Sequence, residues 1–465
     1  MADLLVIFPI LLAFLPLAAL LANGINAYIV SPVLATAAAL AAGFTHILFD
    51  VPIWSVWLII VGLQLILFFL KPVRERVVAN LKVAQSDLYS VGVLGLAALM
   101  SAMASISTPA PLAWDARSIW FHHAKWLNGP AEYFLEAQFL PAGNWPDYPF
   151  TGPALMTLSW QLTGGSENLW LASRISGVLV ILVGLLTAVV LANTFAPKAH
   201  FVLKLGIAFI FVASLTLLAD GYYNAGYQDT LQAALVGLLF ALVLSLKSSK
   251  WQDLMLPALV FLLASNIKQE GFWFATGVLV LALSVQAIQK NYLALALLAA
   301  PAIVRVSWSW FQDHVGMPDN GHTAEVIERF PLLFSGDLEV ANNLQLVFTN
   351  GIQPRSMNYV LLALLSAILI AMLGKGESFV ARLPISIASI TAPLGVLGVA
   401  VVTYVLGQSG GLEWWLGTSY TRITATFELL ALIAMLIASL NLLPDSKPKL
   451  VVAQKPVSKK AKKRR

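Results

Sequence analysis

The sequence predicts an all-α polytopic membrane protein, and three observations carry that expectation. Of 465 residues, 59% are hydrophobic and 11% charged, where an ordinary soluble domain carries about a quarter charged residues. Mean hydropathy is +0.81. Apolar stretches of roughly 20 residues, the length that crosses a hydrocarbon core of about 30 Å, recur from end to end. A soluble fold would have to bury all of them at once with too little charge left for its surface.

Thirteen spans account for these stretches, at about 3–23, 27–47, 52–70, 89–108, 168–195, 201–219, 231–246, 254–267, 272–289, 292–311, 357–373, 385–406 and 421–442. The first, MADLLVIFPILLAFLPLAALL, carries Asp3 where a cleaved signal has basic residues, and is expected to be retained. The chain then divides into accessory N-terminal helices with a cytoplasmic linker (1–88), a core (89–311) with an outer loop at 109–167, an extracytoplasmic loop (312–356), C-terminal spans (357–443) and a basic tail (444–465). YPFTGPALMTLSWQLTG (148–164) is apolar but short and Pro-interrupted, and is expected to lie as an interfacial helix on the outer face.

Charge sets the orientation. The tail KPKLVVAQKPVSKKAKKRR belongs in the cytoplasm by the positive-inside rule, and an odd number of spans puts the N-terminus outside. With that layout the inside segments hold 20 of the 28 Lys and Arg but 5 of the 23 Asp and Glu. There is no cysteine, which excludes disulfides, thiolate metal sites and cysteine nucleophiles.

Ionisable residues at membrane depth are costly and are functional candidates by default. Four clusters fall on the outer face. In WDARSIWFHHAKWL (114–127), Asp115 follows the fourth span and shares a helical face with His122. Asp115 is a candidate general base at a desolvated boundary, or an ordinary flanking charge beside Trp anchors. In ADGYYNAGYQDT (219–230), Asp220 and Asp229 sit among Tyr222, Tyr223 and Tyr227, which suits a sugar or a polar acceptor. Asp229 also stands where an N-cap would, and Asp220 reads as structural. NIKQEGFWF (266–274) puts Lys268 and Glu270 at a break between apolar helices, as a phosphate contact or a self-satisfied pair. In GLEWWLGTSYTRITATFELL (411–430), Arg422 lies about one turn inside the last span and needs an anion, either Glu428 or a phosphate. GQSGG (407–411) matches G-x-S-x-G letter for letter but follows a span, not the strand of an α/β sheet. No Walker A, HExxH or G-x-G-x-x-G pattern is present. The adjacent His122 and His123 point to different helix faces, so no metal site is expected, nor any nucleic-acid partner.

In this order the clusters resemble the GT-C glycosyltransferases, membrane enzymes that take a sugar from a polyprenyl-phosphate carrier, and within them the bacterial protein mannosyltransferases and the aminoarabinose transferases of lipid A. The similarity covers about residues 89–290 and 405–435. Asp115 in WDARSIW, the helix opening DYPFTGPAL, Arg174 in LASRISGVL, Asp229 in GYQDTLQAAL, NIKQEG and WLGTSYTR stand where that family has its motifs. The chain departs from it where Tyr148-Pro149-Phe150 replaces a Pro-Pro doublet, in three spans before the core, and in having no large soluble domain after the spans. The resemblance implies inverting transfer at the outer face of a bacterial cytoplasmic membrane, with no cofactor beyond the lipid-linked sugar co-substrate. Asp115 would take the acceptor proton, and the sugar would sit between Asp115 and Asp229. Lys268 and Arg422 would hold the carrier phosphate, with Arg174 and Arg355 as further candidates. His122, Tyr148, Tyr227 and Glu270 complete the expected substrate contacts. The other classes the composition allows are a transporter, an O-antigen polymerase or ligase relying on His314, His322, Arg329 and Arg355, and a non-catalytic assembly subunit.

Overall fold

A helix pairs its own backbone amides and carbonyls, which a chain in hydrocarbon must do, and among the described residues every regular element is helical. The computed structural model describes residues 3–22, 25–107, 115–136, 148–247, 250–317, 322–352, 354–373, 378–407 and 411–445. Helices α1 (Leu4–Leu12) and α2 (Leu15–Leu21) form one bent unit, followed by α3 (Ile25–Phe49) and α4 (Ile53–Phe69). α5 (Lys71–Ser86) leaves α4 at a bend of 97°. On it, Asn80 donates to the Ala19 carbonyl at 2.7 Å, satisfying an orphan group at the end of α2. Asp87 caps α6 (Leu88–Ile106) by accepting from the Ser90 amide.

After the outer segment come α7 (Phe121–Asn128), α8 (Ala131–Glu136), α9 (Thr151–Gln161) and the long α10 (Leu169–Phe195), capped by Asn168. α11 (Phe201–Leu215), α12 (Asp229–Leu244), α13 (Trp251–Ser265) and α14 (Gln269–Ile288) complete the central bundle, with α10 and α12 buried almost throughout. α15 (Ala299–Val315) ends at Gly316 in the left-handed region. α16 (His322–Arg329) and α17 (Leu338–Leu346) precede the spans α18 (Pro354–Leu373) and α19 (Phe379–Gly407). The short α20 (Leu412–Thr418) and α21 (Tyr420–Ile423) lead into the last helix, α22 (Ala425–Leu442).

All thirteen expected apolar stretches are helical. Eight helices are long and apolar enough to cross a membrane, or up to ten if each bent pair counts once; α11, α12 and α13 are apolar but shorter. Residues 148–164 hold α9, whose Thr151 to Trp160 are all buried, packed against α3, α7 and α10. Pro153 falls in its first turn, where the missing amide costs little. Within 312–356, α16 and α17 pack against α19.

Candidate active site

The site is built where helices break. The polypeptide enters α7 through a π-turn at Ala116–Trp120, directly after Asp115; such turns tilt a helix face by inserting one residue. Opposite it, Gly226 has φ +89°, and a β-carbon there would come within 2.7 Å of Phe121 and 3.2 Å of Ala116. Only glycine lets the loop before α12 lie this close to the Asp115 turn. A third break, between α13 and α14, carries Lys268 in extended conformation. Gly271 lets α14 close on α13, since a β-carbon would meet the Ala264 carbonyl oxygen at 2.3 Å and Gln232 Oε1 at 3.1 Å. The break is held from the other side by α9, whose Thr151 amide and hydroxyl both donate to the Asn266 carbonyl, at 3.0 and 2.6 Å.

These breaks bring four expected residues into contact. Arg422 donates to Asp115, across 307 positions of chain. Its guanidinium also lies 3.8 Å from Asp229 Oδ2, donates to Ser419 Oγ at 3.2 Å, and sits 4.5 Å above the Tyr227 ring. Lys268 Nζ donates to Asp229 Oδ1 at 2.8 Å and lies 5.9 Å from the centre of the Trp120 ring. Trp120 in turn stacks on Tyr148 at 5.7 Å. Lys268, Asp229 and Arg422 are 4–7% exposed, so each charge depends on its partners for what water would otherwise supply. Burial alone would pull the Lys268 ammonium down, but Asp229 and Glu270 outweigh it and hold it above its ordinary 10.5. Burial pushes the Tyr227 phenol up, only partly opposed by Arg422.

The cluster is not saturated. Asp229 Oδ2, Glu270 Oε2, Gln228 Oε1, Gln232 Oε1 and Thr230 Oγ1 are buried without a hydrogen bond among the described residues. Such acceptors are costly when left unpaired, and they suit a ligand rich in hydroxyl donors. Beside them an apolar groove of about 670 Å³ runs between α14, α16 and α19, walled by Trp273, Ile327, Phe330, Val399 and Val402 together with Gln269 and Glu270.

The remaining expected residues lie elsewhere or play smaller parts. Arg174 donates to Asp3 and stacks over Trp170, tying α10 to the start of the chain. Arg355 donates to Asp220 at 2.5 Å, Glu428 at 2.8 Å and the Leu217 carbonyl at 3.1 Å. Glu428 therefore pairs with Arg355, not with Arg422. His122 is exposed, its Nδ1 3.1 Å from the Ser118 carbonyl oxygen and its ring stacked on Trp126. Trp114, Tyr222's side chain and the GQSGG serine fall outside the described residues. Sequence reasoning passed over Trp120, Gln228, Gln232 and Ser419. A signal for two of them was available, because Gln228-Asp229-Thr230 and Gln232 form a polar run heading an otherwise apolar helix. Among the described residues no group of three or more His, Asp and Glu is arranged to hold a metal. Comparison with family models, curated proteins and solved structures finds no match to this chain.

Proposed function

We propose that this protein is a membrane glycosyltransferase that moves a sugar from a polyprenyl-phosphate carrier to an acceptor hydroxyl outside the cytoplasm, in the cytoplasmic membrane of a bacterium. One observation carries the reading: Asp115, Asp229, Lys268 and Arg422, from four distant segments, meet in one buried cluster beside an apolar groove. A lipid-linked donor needs both parts, a cationic seat for phosphate and a dry channel for its isoprenoid chain. Acceptors left unpaired around Asp229 offer partners to sugar hydroxyls.

The chemistry follows from the pairing. With Arg422 bound to Asp115, the base is masked. A donor phosphate competes for Arg422 and Lys268, drawing Arg422 off Asp115. The freed carboxylate then takes the proton of the acceptor hydroxyl while its oxygen attacks the anomeric carbon from the face opposite the phosphate. The bond from that carbon to the phosphate oxygen breaks, and polyprenyl phosphate leaves with the electron pair. The negative charge developing on the leaving oxygen meets two fixed cations in a site of low dielectric, where such donors are worth most. Inversion at the anomeric carbon is the consequence.

The polymerase or ligase reading draws on arginines that are already committed. Arg329 donates to Glu339 at 2.8 Å and to the Leu406 carbonyl at 2.9 Å, and Arg355 is held by Asp220 and Glu428. Incubating the purified protein with a panel of polyprenyl-phosphate sugars and measuring release of the free carrier phosphate tests the proposal. Release from one donor, abolished by Asp115→Asn, is expected; no consumption of any of them defeats it. Orientation is tested by reporter fusions. Fusions after residues 80 and 250 should report cytoplasm, and those near 130 and 335 the outside; a cytoplasmic signal at 130 sinks the assignment of the site to the outer face.

A further inference from the structure

The break between α13 and α14 has a second side. There it opens on a small polar notch of about 40 Å³ between α13, α14 and α15, which Asp229 does not line. Arg305, Trp308 and Gln312 line it from α15, at positions i, i+3 and i+7 of a single helix face. Ser265, Gln269 and Trp273 line it from the break and the head of α14.

Arg305 is the anomaly. α15 belongs to a candidate span whose surroundings are apolar and exposed, with Ile303, Val306 and Trp310 more than half accessible. Among the described residues Arg305 forms no ion pair. A guanidinium on a lipid-facing helix is costly without a counter-charge or a route to the interface. The notch supplies the rest of a binding site. The Ser265 hydroxyl, 5% exposed, has no hydrogen-bond partner among the described residues, and Gln269 and Gln312 add amide groups. Trp273 and Trp308 give amphipathic walls of the kind that sit at headgroup level.

We propose that Arg305, Ser265, Gln269 and Gln312 bind the phosphoryl group of an anionic membrane lipid, at a site separate from the Asp115–Asp229–Lys268–Arg422 cluster. A phosphate diester offers the forked oxygens that a guanidinium takes in pairs, and leaves an oxygen for the serine hydroxyl. Acyl chains then run down the apolar face of α15 between Ile303 and Val306. Gln269 and Trp273 wall both this notch and the large groove, so the bound headgroup lies one side chain from the groove. The proposal rests on α15 being a membrane helix and not on sugar transfer.

The test is native mass spectrometry of the full chain released from nanodiscs of phosphatidylcholine and phosphatidylglycerol in equal parts. Wild type should retain one phosphatidylglycerol more than Arg305→Gln, and Gln312→Leu should lose the same lipid should Arg305→Gln fail to fold. Asp115→Asn should retain it, which separates this site from the proposed reaction centre. Added inorganic phosphate should not displace the lipid; displacement would overturn the lipid as ligand and leave free phosphate in its place. Equal retention by wild type, Arg305→Gln and Gln312→Leu would overturn the site.

Discussion

Two ion-pair systems lie on helices that neighbour one another, and they differ in how completely they close. Arg355 spends its guanidinium on Asp220, Glu428 and the Leu217 carbonyl, locking the loop before α12 onto α18 and α22. The Arg422 cluster sets three carboxylates, Asp115, Asp229 and Glu270, around two cations, and leaves Asp229 Oδ2 and Glu270 Oε2 without hydrogen bonds. A structural network is finished when its members satisfy one another. An unfinished one, beside a groove, has been kept open at a cost in stability, which is what separates a candidate site from a brace.

The largest effect that would break this contrast is on turnover. Asp115→Asn keeps the shape of the cluster and removes its basicity, so transfer should fall about 100- to 10,000-fold with normal expression. Glu428→Gln should leave transfer per folded molecule near wild type. Equal losses in both would erase the distinction between site and brace.

The next effect is on stability. Lys268→Ala removes the hydrogen-bonded partner of buried Asp229 and leaves it only Arg422 at 3.8 Å, and breaking one partner of a buried pair costs about 3–5 kcal/mol. Replacing both by apolar residues, Lys268→Met with Asp229→Leu, should recover most of that in thermal unfolding while transfer stays absent. A double variant as unstable as the single one would mean that the pair is not the source of the loss.

A smaller change is expected at the brace itself. Asp220 is half-exposed, so Asp220→Asn should lower the melting temperature less than Arg355→Ala, which leaves Glu428 buried and unpaired. The reverse order, read by the same unfolding assay, would place the anchoring charge in the loop.

The smallest effect is with pH. Because the Lys268 pKa is raised on folding, its contribution is fully present below its unfolded value near 10.5 and is lost only as pH rises through the higher folded value. Between pH 6 and 9 the stability difference between wild type and Lys268→Met should stay flat. A slope in that range would assign the titration to another group.

Hydropathy made the helices legible, since a run of some twenty apolar residues carries its own length signal, and all thirteen stretches are helical. Residues 148–164 are apolar but too short and Pro-interrupted for that length signal, and the burial of α9 among three neighbours, where small residues such as Gly152, Ala154 and Ser159 allow close packing, was not legible from it. At the site, the four main charges were legible because charge at membrane depth is rare. Their pairing was not. No local pattern says that Arg422 meets Asp115 while Glu428 meets Arg355, since both choices depend on how α18, α21 and α22 pack. Trp120 and Ser419 escaped because aromatic and hydroxyl residues are common at every helix end.

The separation of 307 positions between Asp115 and Arg422 also fixes a moment in the life of the protein. During synthesis Asp115, Asp229, Lys268 and Glu270 leave the ribosome before Arg422, so until then three acidic groups are matched by one basic group. A chain halted before residue 422 lacks the cation that pairs with Asp115.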